Sequence, residues 1–167
     1  MKVDEVMNRE VKTCHPGTSL AEAGALLLHN DCGALPIIDD SGKIAGMISD
    51  RDICMAVVTK NQLATDIPVS EVINGHPVFS CAPELDVKKA LTIMQEHQVR
   101  RLPVADASGE LQGILSINDL ILVANGKSKS RKPGVSIDDV MTTLKAICAH
   151  RRETNDTAPP KHEAARA

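Results

Sequence analysis

The stretch Gly46-Met47-Ile48-Ser49-Asp50-Arg51-Asp52 returns as Gly113-Ile114-Leu115-Ser116-Ile117-Asn118-Asp119, and most of the chain around it is written twice. Val3-Asp4-Glu5-Val6-Met7-Asn8 reappears as Val69-Ser70-Glu71-Val72-Ile73-Asn74, and after one added residue the two copies run 67 residues apart. In that frame Cys81 falls on Cys14, Pro83 on Pro16, Ala90 on Ala23, Leu102-Pro103 on Leu35-Pro36, Asp106 on Asp39 and Ser108-Gly109 on Ser41-Gly42. No gap is needed from Cys14 to Ile53. Turn, strand and cap residues that all recur in one frame mark a duplicated supersecondary unit, which cannot bury its apolar face alone and packs against its sibling.

Within the first copy, a helical turn near Val3 leads to a strand at Val11 to Thr13, which Cys14-His15-Pro16-Gly17 breaks. Ser19 and Glu22 form a helix-start signal, and the helix runs to about His29 with Leu20, Ala23, Leu26 and Leu27 on its buried face. Leu35 to Ile38, the turn Asp39-Asp40-Ser41-Gly42 and Lys43 to Ile48 read as a hairpin. A second helix opens at Ser49 and passes through Ile53, Met55, Ala56 and Val57. The organisation expected is a first repeat over 1–60, a connector over 61–68, a second repeat over 69–126, a basic linker over 127–135, an amphipathic helix over 136–152 and a disordered tail over 153–167. The repeated motif has two chemical readings. Ser-x-x-Asp is an ordinary capping box. It also gathers free N–H groups, a hydroxyl and a carboxylate at one sheet edge, which suits phosphate and ribose.

The chain has 167 residues, 43% of them apolar and 25% charged, as a globular protein does. No apolar run approaches the roughly 18 residues of a membrane span, and acids stand where a signal peptide would be basic and then apolar. A cytoplasmic location is expected, with no membrane partner. A net charge of −3, no Trp, no Tyr and a single Phe argue against a nucleic-acid partner and leave no aromatic platform for stacking bases. The five cysteines are scattered and never form Cys-x-x-Cys, so they read as reduced thiols. Neither a nucleophile elbow, a phosphate-binding lysine loop nor a zinc-protease motif is present, and the chain is not expected to be an enzyme. Cys14, His15, His76, Cys81 and His97 lack standard ligand spacing, so no metal site is assigned.

A repeat carrying Leu-Pro-(Ile/Val), Asp-x-Ser-Gly and Gly-x-x-Ser-x-x-Asp resembles the cystathionine β-synthase (CBS) domain, and two in tandem resemble a Bateman module, here a stand-alone one. The resemblance covers about Val3 to Asn125. It implies an α/β (α+β) fold in which each repeat is a small three-stranded sheet with two helices, the two packed about a pseudo-twofold axis. It also implies two clefts that take an adenosine-containing ligand: AMP, ADP, ATP or S-adenosylmethionine. By that resemblance Asp52 and Asp119 hold ribose hydroxyls, and Ser49 and Ser116 meet phosphate. The leading strand of each repeat faces the other's aspartate, so Asp119 faces Val11 to Cys14 and Asp52 faces Pro77 to Ser80. Val11, Thr13 and Val78 then belong to the clefts, with Val11, Ile37, Val78 and Val104 packing on adenine.

The copies differ in charge. The second carries Arg100-Arg101 before Leu102-Pro103, where the first has Gly33-Ala34, and Arg51 within the first motif is matched by Asn118. Arginine suits phosphate through its planar fork of donors. Arg101 and Arg51 are therefore assigned to the clefts, with Arg100-Arg101 giving the second copy's site the stronger claim on phosphate. The function expected is regulatory: no cofactor is required, an adenosyl ligand shifts the packing of the repeats or of a homodimer, and an unknown protein partner receives the signal. The alternatives are a ligand-free dimerisation scaffold and a thiol or zinc sensor. The helix after Ser136 has an apolar stripe of Val140, Leu144, Ile147 and Cys148, which docks either on the repeats or on another subunit or a partner.

Overall fold

The computed structural model describes residues 1–73, 75, 77–124 and 134–149. His76, most of the basic linker and the tail from residue 150 lie outside them. A 3-10 turn at Val3–Glu5 is followed by α1 (Leu20–His29), β1 (Ala34–Ile38), β2 (Ile44–Ser49) and α2 (Asp50–Lys60). The second copy repeats this order with α3 (Ser70–Ile73), α4 (Val87–His97), β3 (Arg101–Ala105), β4 (Leu111–Ser116) and α5 (Ile117–Val123). A further helix, α6 (Ile137–Cys148), comes last. The fold is mixed α/β, as the duplicated pattern implies.

Local chemistry sets the boundaries. Ser19 caps α1 by accepting from the Glu22 N–H at 3.2 Å, while the Glu22 carboxylate accepts from the Ser19 N–H at 3.0 Å. Each hairpin turns on an aspartate. Asp39 Oδ1 accepts from Ser41 N, Ser41 Oγ and Lys43 N, and Asp106 Oδ1 accepts likewise from Ser108 N, Ser108 Oγ and Glu110 N. These bonds, the serine hydroxyl's first, hold both carboxyls below the ordinary carboxylate range. The antiparallel pairs are in matching register, Ile37 opposite Gly46 and Val104 opposite Gly113.

The strand expected at Val11–Thr13 is not formed, and each sheet has two strands with one added parallel bridge, Cys14 to Ile37 and Cys81 to Val104. Prolines are the reason. Cys14 N donates to Pro36 O and its carbonyl accepts from Ile38 N, so the next rungs of a parallel ladder would need N–H groups from Pro36 and Pro16, which have none. Pro103 and Pro83 stop the second copy in the same way.

The repeats exchange their leading segments. Val3 N donates to Leu85 O and Asp4 N to Pro83 O, while Val69 N donates to Thr18 O and Ser70 N to Pro16 O. Accordingly Val3 and Met7 sit in the core of the second copy with Leu91, Met94 and Leu115, whereas Ile67 and Val69 sit in the core of the first with Leu20, Leu35 and Ile48. The glycines of the repeated motif admit these visitors. A Cβ on Gly113 would lie 2.8 Å from the Asn8 carbonyl oxygen, and one on Gly46 would lie 2.7 Å from Ile73 Cδ1. Lys43 and Glu110, equivalent positions in the two copies, bridge each other antiparallel, which places the pseudo-twofold axis between them.

Helix α6 docks on the second copy, against α4 and α5. Val140, Leu144 and Ile147 join that core, and the fully buried Thr143 accepts from Gln95 Nε2 at 2.7 Å and donates to Asp139 O at 3.0 Å. Gln98 Nε2 donates to the carbonyls of Ala146 and Ala149, and Lys88 pairs with Asp139 at 3.1 Å.

Candidate functional site

Strand β2 delivers the chain to the start of α2, and there Ser49 and Asp52 close a full capping box. Asp52 Oδ2 accepts from Ser49 N at 2.9 Å and from Ser49 Oγ at 2.6 Å, and Asp52 N donates to Ser49 Oγ at 3.3 Å. The carboxylate is exposed, and its Oδ1 takes no part in the box. Ser116 and Asp119 close the same box, with 2.8 and 2.6 Å contacts, in a half-buried setting. Both chemical readings of the motif therefore share one geometry: the box forms, and one carboxylate oxygen is left over.

The two helix starts differ in what surrounds them. At α5 the first helical N–H, that of Ile117, donates to Arg100 O at 2.9 Å. Among the described residues no matching bond joins Asp50 to Gly33, the equivalent pair, and the chain opens there into a cleft of about 570 Å³. Its wall is built from Ser49 to Asp52, from Pro77, Val78 and Phe79 on the segment before the Cys81 bridge, from Gln98 to Arg101, and from Ile147 of α6. The structure thus brings together Ser49, Arg51, Asp52, Val78 and Arg101. Ser116, Asp119, Val11 and Thr13 are not drawn into this cleft; Val11 and Thr13 lie half-buried in the unpaired stretch before Cys14.

Three expectations change. Arg100 and Arg101 line the cleft of Asp52 in the other copy, because the pseudo-twofold packing carries the α4–β3 corner across to the start of α2. Gly33 makes the room: a Cβ there would lie 3.2 Å from an Arg101 guanidinium nitrogen. Ile37 and Val104 have no exposed surface and belong to the two cores, so they cannot pack on a ligand. Phe79, the single aromatic residue, lines the cleft with its ring stacked on His97 at 3.5 Å between centroids and 8° between planes. An aromatic surface therefore does exist at the site. Its sequence signal was its place beside Val78, on the segment expected to face Asp52.

The cleft combines Arg51, Arg100 and Arg101 with Asp50 and Asp52, and none of the three arginines is in an ion pair with a described residue. That set suits an anion joined to a hydroxyl-bearing group. Cys14 and Cys81 are buried, and desolvation pushes both thiols up to about 11, away from thiolate chemistry. No group of three His, Cys, Asp or Glu among the described residues is placed to hold a metal ion. No helix among them is long and apolar enough to cross a membrane.

Comparisons with known proteins fit this architecture. YhcV of Bacillus subtilis, a CBS domain-containing protein, is 34% identical over 118 residues, which cover 71% of this chain and 81% of that protein. The inosine-5'-monophosphate dehydrogenase of Mycobacterium leprae is 33% identical over 109 residues, 65% of this chain, but the match spans only 20% of that enzyme. The crystal structure of CBSX2 in complex with AMP superposes with a TM-score of 0.62 at 26% identity, over 72% of this chain and 93% of that one. The family model for the CBS domain matches residues 3–59 and again 66–126. Both halves of the duplication are thereby accounted for, and the chain belongs to the CBS domain family as a tandem pair of repeats.

Proposed function

We propose that this chain is a regulatory, non-enzymatic module that takes an adenine nucleotide in the cleft at Asp52 and answers by changing the packing of its repeats. The observation that carries the reading is the convergence on one cleft of three arginines, the start of α2 and an outward carboxylate oxygen of Asp52. Arg51, Arg100 and Arg101 meet phosphate, Asp52 Oδ1 accepts from ribose hydroxyls, and Val78 and Phe79 take the base. AMP bound to a relative of 26% identity supports the ligand class. The sulfonium of S-adenosylmethionine would meet three guanidinium groups, which favours AMP, ADP and ATP over it. A ligand that touches both repeats favours one arrangement of them over another. The same change passes to a second copy in a homodimer, for which Met55 on α2 and its mate Leu122 on α5 offer matching exposed apolar points, and from there to a protein partner.

Titration calorimetry with AMP, ADP, ATP and S-adenosylmethionine tests this. The nucleotides are expected to bind and raise the melting temperature. Asp52→Ala should weaken them about tenfold or more, the worth of a hydrogen bond to a charged group, while Asp119→Ala leaves them nearly unchanged. Absence of heat and of a melting shift with all four compounds would overturn the reading, and a loss confined to Asp119→Ala would move the site to the other repeat. With neither Trp nor Tyr in the chain, a purine carried through purification also dominates its ultraviolet spectrum.

A further inference from the structure

The groove that α6 fills on the second copy has an open mate on the first. Val140, Leu144 and Ile147 lie in a cluster with Leu91, Met94, Val99, Ile117 and Leu120. Shifted by 67 residues these become Gly24, Leu27, Cys32, Asp50 and Ile53, and these five line a groove of about 460 Å³ together with Leu28, Asp31 and Gly33. Two details mark the groove as unfilled. Gly24 stands in the middle of α1, where glycine weakens a helix, and nothing lies within 4 Å of where its Cβ would be. Leu28, on the rim, is 79% exposed.

We infer that this groove receives an amphipathic helix of a partner protein, apolar at positions spaced as in α6 and basic at its C-terminal end. The rim dictates that chemistry. Gln95, which bonds the hydroxyl of Thr143, is replaced by Leu28, so the visitor carries an apolar residue where α6 has threonine. Gln98, which donates to the last carbonyls of α6, is replaced by Asp31, which cannot donate, and Asp50 stands beside it in place of Ile117. Two carboxylates at that end call for lysine or arginine on the incoming helix. Lys88, which pairs with Asp139, is replaced by Ala21, so no acid is required at the other end.

The probe is a fluorescein-labelled peptide of residues 136–152 carrying Asp139→Gln and Thr143→Leu, which keeps the apolar stripe and ends in His150-Arg151-Arg152. Fluorescence anisotropy against the full chain is expected to show one peptide per chain. Leu28→Glu and Asp31→Lys, both at exposed positions, should each weaken it about tenfold, with melting temperatures showing the fold intact. A peptide with Arg151→Glu and Arg152→Glu should bind correspondingly less. Absence of binding, or binding indifferent to Leu28→Glu because the peptide has displaced α6, would overturn the proposal. So would sedimentation showing a dimer of the chain that Leu28→Glu dissociates, since a second copy would then fill the groove. None of these readouts depends on nucleotide binding.

Discussion

Helices α2 and α5 begin with the same capping box, in the same register of the same hairpin, yet only the first opens on the cleft lined by three arginines. At α5 the N–H of Ile117 is taken by the Arg100 carbonyl, and the helix behind it is roofed by α6. At α2 the equivalent corner is Gly33, small enough for Arg101 to reach in from the other repeat. A duplicated motif therefore supplies the same backbone twice, and the residues beside it decide which copy opens on that cleft. The same contrast holds on the outer face, where a groove filled by α6 on one copy stands open on the other.

The largest expected break in that near-symmetry comes from the motif glycines. A Cβ on Gly113 meets the Asn8 carbonyl oxygen, which is fixed by reciprocal 2.9 Å hydrogen bonds between Asn8 and Ile114, and it also meets Met7 Sδ at 2.8 Å. A Cβ on Gly46 meets chiefly the tip of Ile73, which can turn aside. Gly113→Ala should cost about 3 kcal/mol and Gly46→Ala about 1 kcal/mol, the upper and lower parts of the range for overpacking. Calorimetric melting of the two variants checks this. Equal losses would mean that the leading segments are not held as differently as their contacts imply.

Thr143 is the next lever. Thr143→Val keeps the shape but removes the acceptor for Gln95 Nε2, and a loss of about 1–2 kcal/mol is expected for a half-buried amide left unpaired. The mate of Gln95 is Leu28, which makes no such bond, so Leu28→Gln should change stability by less than about 0.5 kcal/mol. Chemical denaturation of both variants sharpens the comparison. If Leu28→Gln proved the more damaging, the groove on the first copy would be carrying a load that its exposure does not show.

Much of this was legible in the residues alone. The 67-residue displacement gave both hairpins, the two capping boxes and the helix opened by Ser136, because each depends on short-range chemistry. The strand at Val11–Thr13 failed although its obstacles, Pro16 and Pro36, were in plain view: alternation argues for a strand, but the missing N–H groups count only once the parallel partner is known. Arg100 and Arg101 read with their own copy in the sequence, yet they line the cleft of Asp52, for a related reason. A residue's own copy is written in the sequence, whereas its neighbour across the pseudo-twofold axis is set by packing. A single Phe in the composition argues against an aromatic platform, and only the fold shows that Phe79 lines the cleft.

Acid separates the two copies most gently, through α6. The Asp139 carboxyl accepts from the Ser136 N–H at 3.0 Å and pairs with Lys88, and these partners, the backbone N–H first, hold it below the ordinary carboxylate range. A carboxyl lowered in the folded state contributes stability that is fully present above its unfolded value of about 4, and that is lost as pH falls through the folded value. Asp39 and Asp106 follow the same sign, but they hold equivalent turns in both copies and so cancel in the comparison. Glu22 adds a loss at the start of α1 on the first copy. What remains specific to the second copy is the grip of α6 on α4. Below about pH 4 the methyl resonances of Leu144 and Ile147 should broaden before those of Ile48 and Leu35 in the first core, with a stability change of no more than about 1 kcal/mol, as for a partly exposed pair. Asp139→Asn should remove that early step by removing its proton uptake. A first core that loosens ahead of α6 would instead place the weaker contact in the repeat that carries the open cleft.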